Sequence, residues 1–484
     1  PKIKVNNYSA GTSLTGGVFG RISTYTAIDG VNLTGTTLSF TKDLSVAQQI
    51  GTFAGTITGN ATQQISVKNV TIDKSELTFG TSATSNTVGL KAGIIGQVNN
   101  NVLLDTWKVA GNANIKVNGN LITSSCNLGG LVGYMISGAN APIVVSKITL
   151  EGNCGVSISG NIAVGSQLGG IIGYASTSDA INNKTYINNV EIIGKTSVVI
   201  GGNISASSFI GGFAGVVAGR SKADCLTEIT KMTIPTSEIS IGGQVSTGCC
   251  FGGFVGRAAT GCRFNDLKIT TAANLTFSDN ITVASYIGGA IGELAGATNY
   301  PSITSGIEVM GLDISLNTNL SKNLYVGGIV GQLTAVATTP NKIERCSVIG
   351  KIHTMGTHTF LEGSIIYAFG GIVGYTGQSA TNISEVSQCF SNVDFNLSGL
   401  TPATKTNLYR SGFVVGGVIG RMNTPSRLPE HLYYTGKIYA PYAVVAPIVG
   451  VFGTNMNNAA YLYNDYSGEN ATNISAEEWQ KANT

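Results

Sequence analysis

The sequence predicts an all-β fold, a parallel β-solenoid of about twelve coils with about 39 residues and three short strands in each. Three observations carry that expectation. The pattern Gly-Gly-x-x-Gly occurs in full nine times, with first glycines Gly16, Gly129, Gly169, Gly211, Gly252, Gly288, Gly327, Gly370 and Gly416, and degenerate copies at 51–55 (GTFAG), 92–96 (AGIIG) and 449–453 (VGVFG) bring the total to twelve. With glycine at 65 of 484 positions, chance supplies only about one full copy, so the pattern is a true repeat. The intervals between last glycines run from 33 to 46 residues, the scatter that surface-loop insertions give a stacked array. Between the motifs, short segments alternate apolar and polar residues, and no segment before the C-terminus holds a 3.6-residue period.

Within a unit the elements follow in a fixed order. The glycine segment comes first, as in FGGFVGR at 251–257. A second segment alternates, as in INNVEIIG at 187–194 or LTEITKMTI at 226–234, and a third precedes the next motif, as in GVSISGNIAV at 155–164 or SEISIGGQV at 237–245. Their Val, Ile and Thr content, bounded by Gly, Asn and Ser, is strand composition. One coil cannot bury its own inward side chains. Stacked at about 4.8 Å per coil, equivalent strands form parallel sheets around one core, in a rod roughly 55–60 Å long. The general handedness of crossovers predicts a right-handed β-helix. A β-propeller is the runner-up, because its blades also take about 40 residues, but a blade needs four hairpin-joined strands and these units show three.

The array sets one solenoid domain over 1–463, with 464–484 as a C-terminal tail or capping helix. In NISAEEWQKANT, Ser475 stands as N-cap with Glu478 three residues on, and Trp479 is expected to cover the last coil. At the other end, Ile3 and Val5 alternate like a strand ahead of the first motif. An uncovered first coil exposes sheet edges, so head-to-tail polymerisation through that strand is expected. The chain starts at Pro1 without a basic-then-apolar leader, so a leader has been removed or the start lies outside this sequence.

Composition narrows the function classes. A net charge of +3 without any Lys/Arg block gives no electrostatic case for nucleic acid. No run approaches the roughly 20 apolar residues of a helical membrane span. Charged residues are only 11% and hydrophobic ones 42%, which argues against disorder.

A stretch such as LGGIIGYAS at 168–176 invites a nucleotide-binding reading. Dinucleotide loops need G-x-G-x-x-G opening a helix, and phosphate loops need Gly-Lys-Ser/Thr. Here the glycines are adjacent, a strand follows, and the motif returns along the whole chain, so no cofactor is expected. The central glycines Gly17, Gly93, Gly130, Gly170, Gly212, Gly253, Gly289, Gly328, Gly371, Gly417 and Gly450 are assigned instead to a structural ladder at one corner of every coil. Glycine there would open backbone angles closed to other residues and let an opposing sheet approach.

The units resemble the GLUG repeat of bacterial and protist surface proteins, in which VGGLVG is followed by a segment like I.NCY..G.V.G. FGGIVGYTGQSATNISEVSQCFSNVDFNLSG (369–399) and VGGIVGQLTAVATTPNKIERCSVIGKI (326–352) are the nearest matches. The resemblance implies a secreted or surface-exposed repeat protein, sometimes an adhesin or a stalk, and no particular activity.

Few residues offer chemistry. His353 and His358 lie five apart in a Thr-rich segment, a spacing that does not favour a shared metal, and with His431 they read as exposed loop residues. Carboxylates repeat at no fixed place in the unit, which speaks against calcium-binding repeats and an acidic catalytic groove, although paired Asp or Glu could meet across coils. Cys126, Cys249, Cys346 and Cys389 share offsets from the motif and read as small buried hydrophobes. Cys225 and Cys262 fall in turns of neighbouring coils and are the candidate disulfide. Thirteen N-x-S/T sequons, Asn60, Asn69, Asn203, Asn274, Asn382 and Asn396 among them, are candidate glycosylation sites in a eukaryotic secretory route.

The expectation is therefore a non-enzymatic extracellular or cell-surface structural protein, a rigid rod serving as filament subunit, stalk or spacer, whose partner is itself or a neighbouring surface protein. The alternative is an adhesin that binds glycan or a host protein along a solenoid face, through exposed aromatics such as Tyr286, Tyr300 and Tyr325. A polysaccharide-active β-helix enzyme comes third.

Overall fold

The computed structural model describes residues 2–5 and 13–452, less the segments 24–25, 42–43, 45–47, 83–85, 88, 139, 179–182, 221–225, 282–283, 298, 335, 362–364, 378–381, 404–411 and 424–428. The proposed C-terminal cap, with Ser475, Glu478 and Trp479, lies outside the described residues. Every regular element among the described residues is a strand, and the chain is a parallel β-solenoid. The ladders are parallel except where Val336 and Ala337 pair antiparallel with Ile383 and Asn382.

The fifth coil shows the unit. Strands Gln167–Gly169 and Ile172–Thr177 meet at the glycine pair, followed by Lys184–Ile192 and Lys195–Ile200. The glycine segment is thus two strands joined at a corner, where the sequence suggested one. In the next coil the remaining two strands fuse into Leu226–Ile241, with an irregularity between Ile234 and Thr236 marking the bend. A single inward residue closes each turn: Ile162, Ile204, Val245, Ile281 and Leu320 stack through one bridge apiece.

All twelve glycine segments join in register, from Gly16↔Gly51 and Gly51↔Gly93 through Gly129↔Gly169 to Gly416↔Ala446. Register moves two residues of the sequence-derived ladder. Gly93 pairs with Gly51, so it holds the first position of its motif, and its coil makes up the missing residue with a bulge between Gly93 and Ile95. In the last coil Ile419 pairs with Val449 and Arg421 with Val451, which puts Gly450 opposite Gly420 at the third position and makes Ala446–Gly450 the true motif.

The three glycines of a motif are required for three different reasons, none of which is a left-handed backbone: no motif glycine has a positive φ. A Cβ on the first would strike the carbonyl three residues ahead in its own coil, as Gly169 would Ile172 O. A Cβ on the second would strike the next coil: Gly130 at 2.5 Å from Gly170 O, and Gly170, Gly212, Gly253, Gly289, Gly328 and Gly371 against the corresponding glycine carbonyls above them. Gly17 would meet Thr52 O and Gly417 would meet Pro447 O in the same way. A Cβ on the third would strike the preceding coil, as Gly215 would at 2.5 Å from Leu168 N and 2.7 Å from Gly173 O. Close approach, not conformational freedom, is what the motif selects.

Left-handed backbone appears elsewhere, in a column the sequence did not announce. Gly30, Asn69, Thr106, Lys147, Asn189, Lys231, Asp266, Gly306, Arg345, Gln388 and His431 all have φ between 50° and 76°. The flanking register, such as Asp105↔Lys68 and Trp107↔Val70, aligns them one above another in eleven successive coils. The side chains are exposed apart from half-buried Gly306, so solvent tolerates any polar residue at a kink that costs about 1–2 kcal/mol for most residue types.

Inward side chains make one core along the stack. Phe40 and Phe79 stack at 5.2 Å, and buried Trp107 donates its indole N–H to Val67 O at 3.0 Å. The N-terminal strand Lys2–Val5 pairs within its own chain, Ile3↔Leu38 and Val5↔Phe40, rather than standing free for a neighbour.

Two substitutions test these assignments by urea unfolding. Gly215→Ala should lower stability by about 1–3 kcal/mol through overpacking against the preceding coil, whereas Gly20→Ala, whose Cβ would meet only Leu14 O at 3.5 Å, should be near neutral; equal effects contradict the close-approach account. At the kink, Lys231→Val should cost about 1–2 kcal/mol and Lys231→Asn should be neutral or stabilising, because asparagine tolerates positive φ.

Candidate ligand-binding furrow

Two columns of side chains flank the glycine corner on the outside of the rod. One comes from the position two residues before the first glycine, where Lys91, Asn127, Gln167, Phe209, Cys250, Tyr286 and Tyr325 follow one another in register. The other comes from the position just after the third glycine: Gln97, Tyr134, Tyr174, Val216, Arg257, Glu293, Gln332 and Tyr375. At a convex corner such side chains would diverge. Here they meet: Lys91 Nζ donates to Gln97 Oε1 at 3.1 Å and sits 4.0 Å over the Tyr134 ring, and Tyr325 stacks on Tyr375 at 4.3 Å. The outer face of the glycine sheet is therefore a furrow running along the rod.

Its chemistry is aromatic and polar in alternating stretches. Tyr134 and Tyr174 stack at 5.1 Å; farther along, Tyr286, Tyr325 and Tyr375 form a second stack, with Asn423 donating to the Tyr375 hydroxyl at 2.6 Å. Between the stacks, Arg257 lies over Phe209, 5.3 Å from its centroid, and its Nε pairs with Glu293 at 2.7 Å. Beside this pair opens a cleft of about 310 Å³. Burial pushes the Tyr286 phenol up to about 12, with the Glu293 charge adding to it, and burial also raises Tyr134, Tyr325 and Tyr375, so these four phenols stay protonated as donors at physiological pH.

Of the aromatics expected on an exposed face, Tyr286 is half-buried in the furrow, Tyr325 is only 7% exposed within its stack, and Tyr300 pairs with Ala297 in a turn. Tyr134, Tyr174 and Tyr375 complete the stacks, and each immediately follows a motif's last glycine.

The histidines are not loop residues. His353 ends strand Ser347–His353 with Nε2 2.8 Å from Asp313 Oδ1, His358 opens strand His358–Phe360, and His431 belongs to the left-handed column. No group of three or more metal-ligating side chains occurs among the described residues.

Cys126, Cys249, Cys346 and Cys389 are buried, with Cys346 and Cys389 in adjacent coils. Cys262 opens strand Cys262–Phe277 rather than lying in a turn; it is a buried free thiol that donates to Val217 O at 3.2 Å, and Cys225 lies outside the described residues. Among the sequons, Asn69, Asn203 and Asn396 are exposed and Asn60, Asn274 and Asn382 half-buried. Asn60 Oδ1 closes a turn by accepting from Thr62 N and Gln63 N, both at 2.9 Å, Asn69 Nδ2 donates to Asp29, and Asn203 Oδ1 accepts from Gln244 N in the coil above at 2.9 Å.

Burial raises the thiols of Cys154, Cys249 and Cys262 to about 12, and those of Cys250 and Cys389 well above the ordinary value. The thiolate is the reactive form, so these groups should resist Ellman's reagent at pH 8 until the rod unfolds. Rapid native-state labelling at any of them, located by mass spectrometry, would contradict their placement. No family model, no curated protein and no solved structure matches this chain.

Proposed function

We propose that the chain is an extracellular or cell-surface structural repeat protein, a rigid rod that acts as a filament subunit, stalk or spacer. The observation that carries this reading is the continuous register of the glycine sheet from Ser13–Gly16 to Val444–Ala446, which makes one stiff stack of the described coils. At about 4.8 Å per coil it spans roughly 55 Å. The resemblance of segments such as 369–399 to GLUG repeats supports the surface location.

The first coil also supports end-to-end association. Its Ile28, Val31 and Leu33 are half-buried, whereas the residues opposite them, Val67, Val70 and Ile72, are buried. Because Lys2–Val5 already pairs in its own chain, a filament would grow through the edge of Ala27–Leu33 rather than by donation of the terminal strand.

A second reading, an adhesin that binds along the furrow, is supported by the two tyrosine stacks. Immunogold labelling of intact cells with antibody to the chain tests the structural reading: label at the outer surface, and rods or filaments of the purified chain by electron microscopy, are expected. Label that appears only after permeabilisation, or compact round particles, would overturn it.

A further inference from the structure

We infer that the gap in the furrow beyond Tyr174 binds a neutral pyranose sugar, held by ring stacking and by uncharged hydrogen-bonding groups. This rests on the adhesin reading and names the ligand class and the place. The planes of Tyr134 and Tyr174 lie within 7° of each other, so the second face of Tyr174 is turned along the rod toward the next coil. There the register places Val216, and among the described residues no second ring and no cation stacks on Tyr174. The column resumes with a large side chain only at Arg257, two coil spacings or about 9.6 Å along the rod. Contact on both faces of an inserted ring takes about 3.5–4.0 Å a side, which leaves slack around a flat ring and suits a puckered chair.

The cleft of about 310 Å³ opens at this gap, with Tyr174, Phe209, Gln167, Thr260 and Val216, only 5% exposed, in its lining. Two of these side chains are polar and uncommitted. Among the described residues neither the Gln167 carboxamide nor the Thr260 hydroxyl makes a hydrogen bond, although both residues are half-buried. Elsewhere in the column of Gln167 the polar groups are engaged: Lys91 donates to Gln97 Oε1 at 3.1 Å, and Asn127 Nδ2 donates to Ser125 O at 2.8 Å. A pyranose carries the matching chemistry, a C–H face to lie on the Tyr174 ring and hydroxyls at its rim that donate to and accept from an amide and a hydroxyl. Neither group needs a charge on the ligand. An inserted aromatic side chain would use the ring and leave both polar groups unmet.

The test uses the full chain and isothermal titration calorimetry with cellotetraose, maltotetraose and β-1,4-galactotetraose, and with tetragalacturonate as the charged comparison. Binding of at least one neutral probe is expected, weakened about tenfold by Tyr174→Ala and about threefold or more by Gln167→Leu. Val216→Tyr should abolish it, because tyrosine already occupies the same column at Tyr134, Tyr174 and Tyr375 and would fill the gap by continuing the stack. Gln167→Leu removes no hydrogen bond of the fold, so it should leave thermal unfolding unchanged and decides the matter if Val216→Tyr does not fold. Neutral-probe binding that survives either variant unaltered would overturn this site but not saccharide binding by the rod. Binding of tetragalacturonate alone would overturn the neutral ligand class. Binding of none of the four would overturn the site, and a glycan array then separates the two readings: specific binding of another glycan keeps the adhesin, and a blank array overturns it as well, with the structural rod untouched.

Discussion

The structure depends on one constraint, the nesting of bare backbone on bare backbone at the glycine corner. The carbonyl of the next coil occupies the place a Cβ would take on the second glycine, and the backbone of the previous coil occupies that place on the third. One five-residue motif is therefore read in three directions at once, along its own turn, up the stack and down it. The exceptions follow the same logic. In the second coil the central position is Thr52, whose hydroxyl lies 2.6 Å from that of Ser75 across the core. Gly212 and Gly371 face Ser237 and Ser391 in the same way, so that position looks into the third strand.

The corner that stacks the coils also shapes the surface. With no side chains at the glycine pair, the flanking columns close in over it and touch, as Tyr325 and Tyr375 do at 4.3 Å. A furrow is thus a by-product of the packing rule, present wherever the motif is. What lies along it is not dictated by that rule. The columns change from lysine and glutamine to tyrosine, then to phenylalanine, valine and arginine, then to tyrosine again, while the core along the stack remains predominantly apolar.

The repeat, the strands and the parallel stack were legible because each rests on a period, and a period survives substitution of any one residue. The exact motif position of Gly93 and Gly450 was not legible, since a degenerate copy can be aligned one residue off, as at Gly93, or three, as at Gly450, without violating the pattern; only pairing with Gly51 and Gly420 decides it. The left-handed column stayed hidden for a chemical reason. It falls on Asn69 and Gly306, which advertise positive φ, but equally on Thr106, Lys147 and Arg345, which do not. The furrow was half legible. Tyr286 and Tyr325 drew attention as aromatics, yet their stacking partner Tyr375 lies one coil on and across the corner, a neighbourhood that exists only once the corner is known to be concave.

Stability alone does not account for the break at Val216. Each added tyrosine in a stack contributes about 0.5–1.5 kcal/mol beyond its buried area, so a column that carries Tyr134 and Tyr174 would gain by continuing. Instead it stops at a small side chain, and the next position holds an arginine fixed from two sides, by the Phe209 ring and by Glu293. Holding a guanidinium in place costs side-chain entropy, and pairing it at a partly exposed site returns little. The column therefore changes its chemistry at Val216 for a reason that the stacking energy of the tyrosines does not supply.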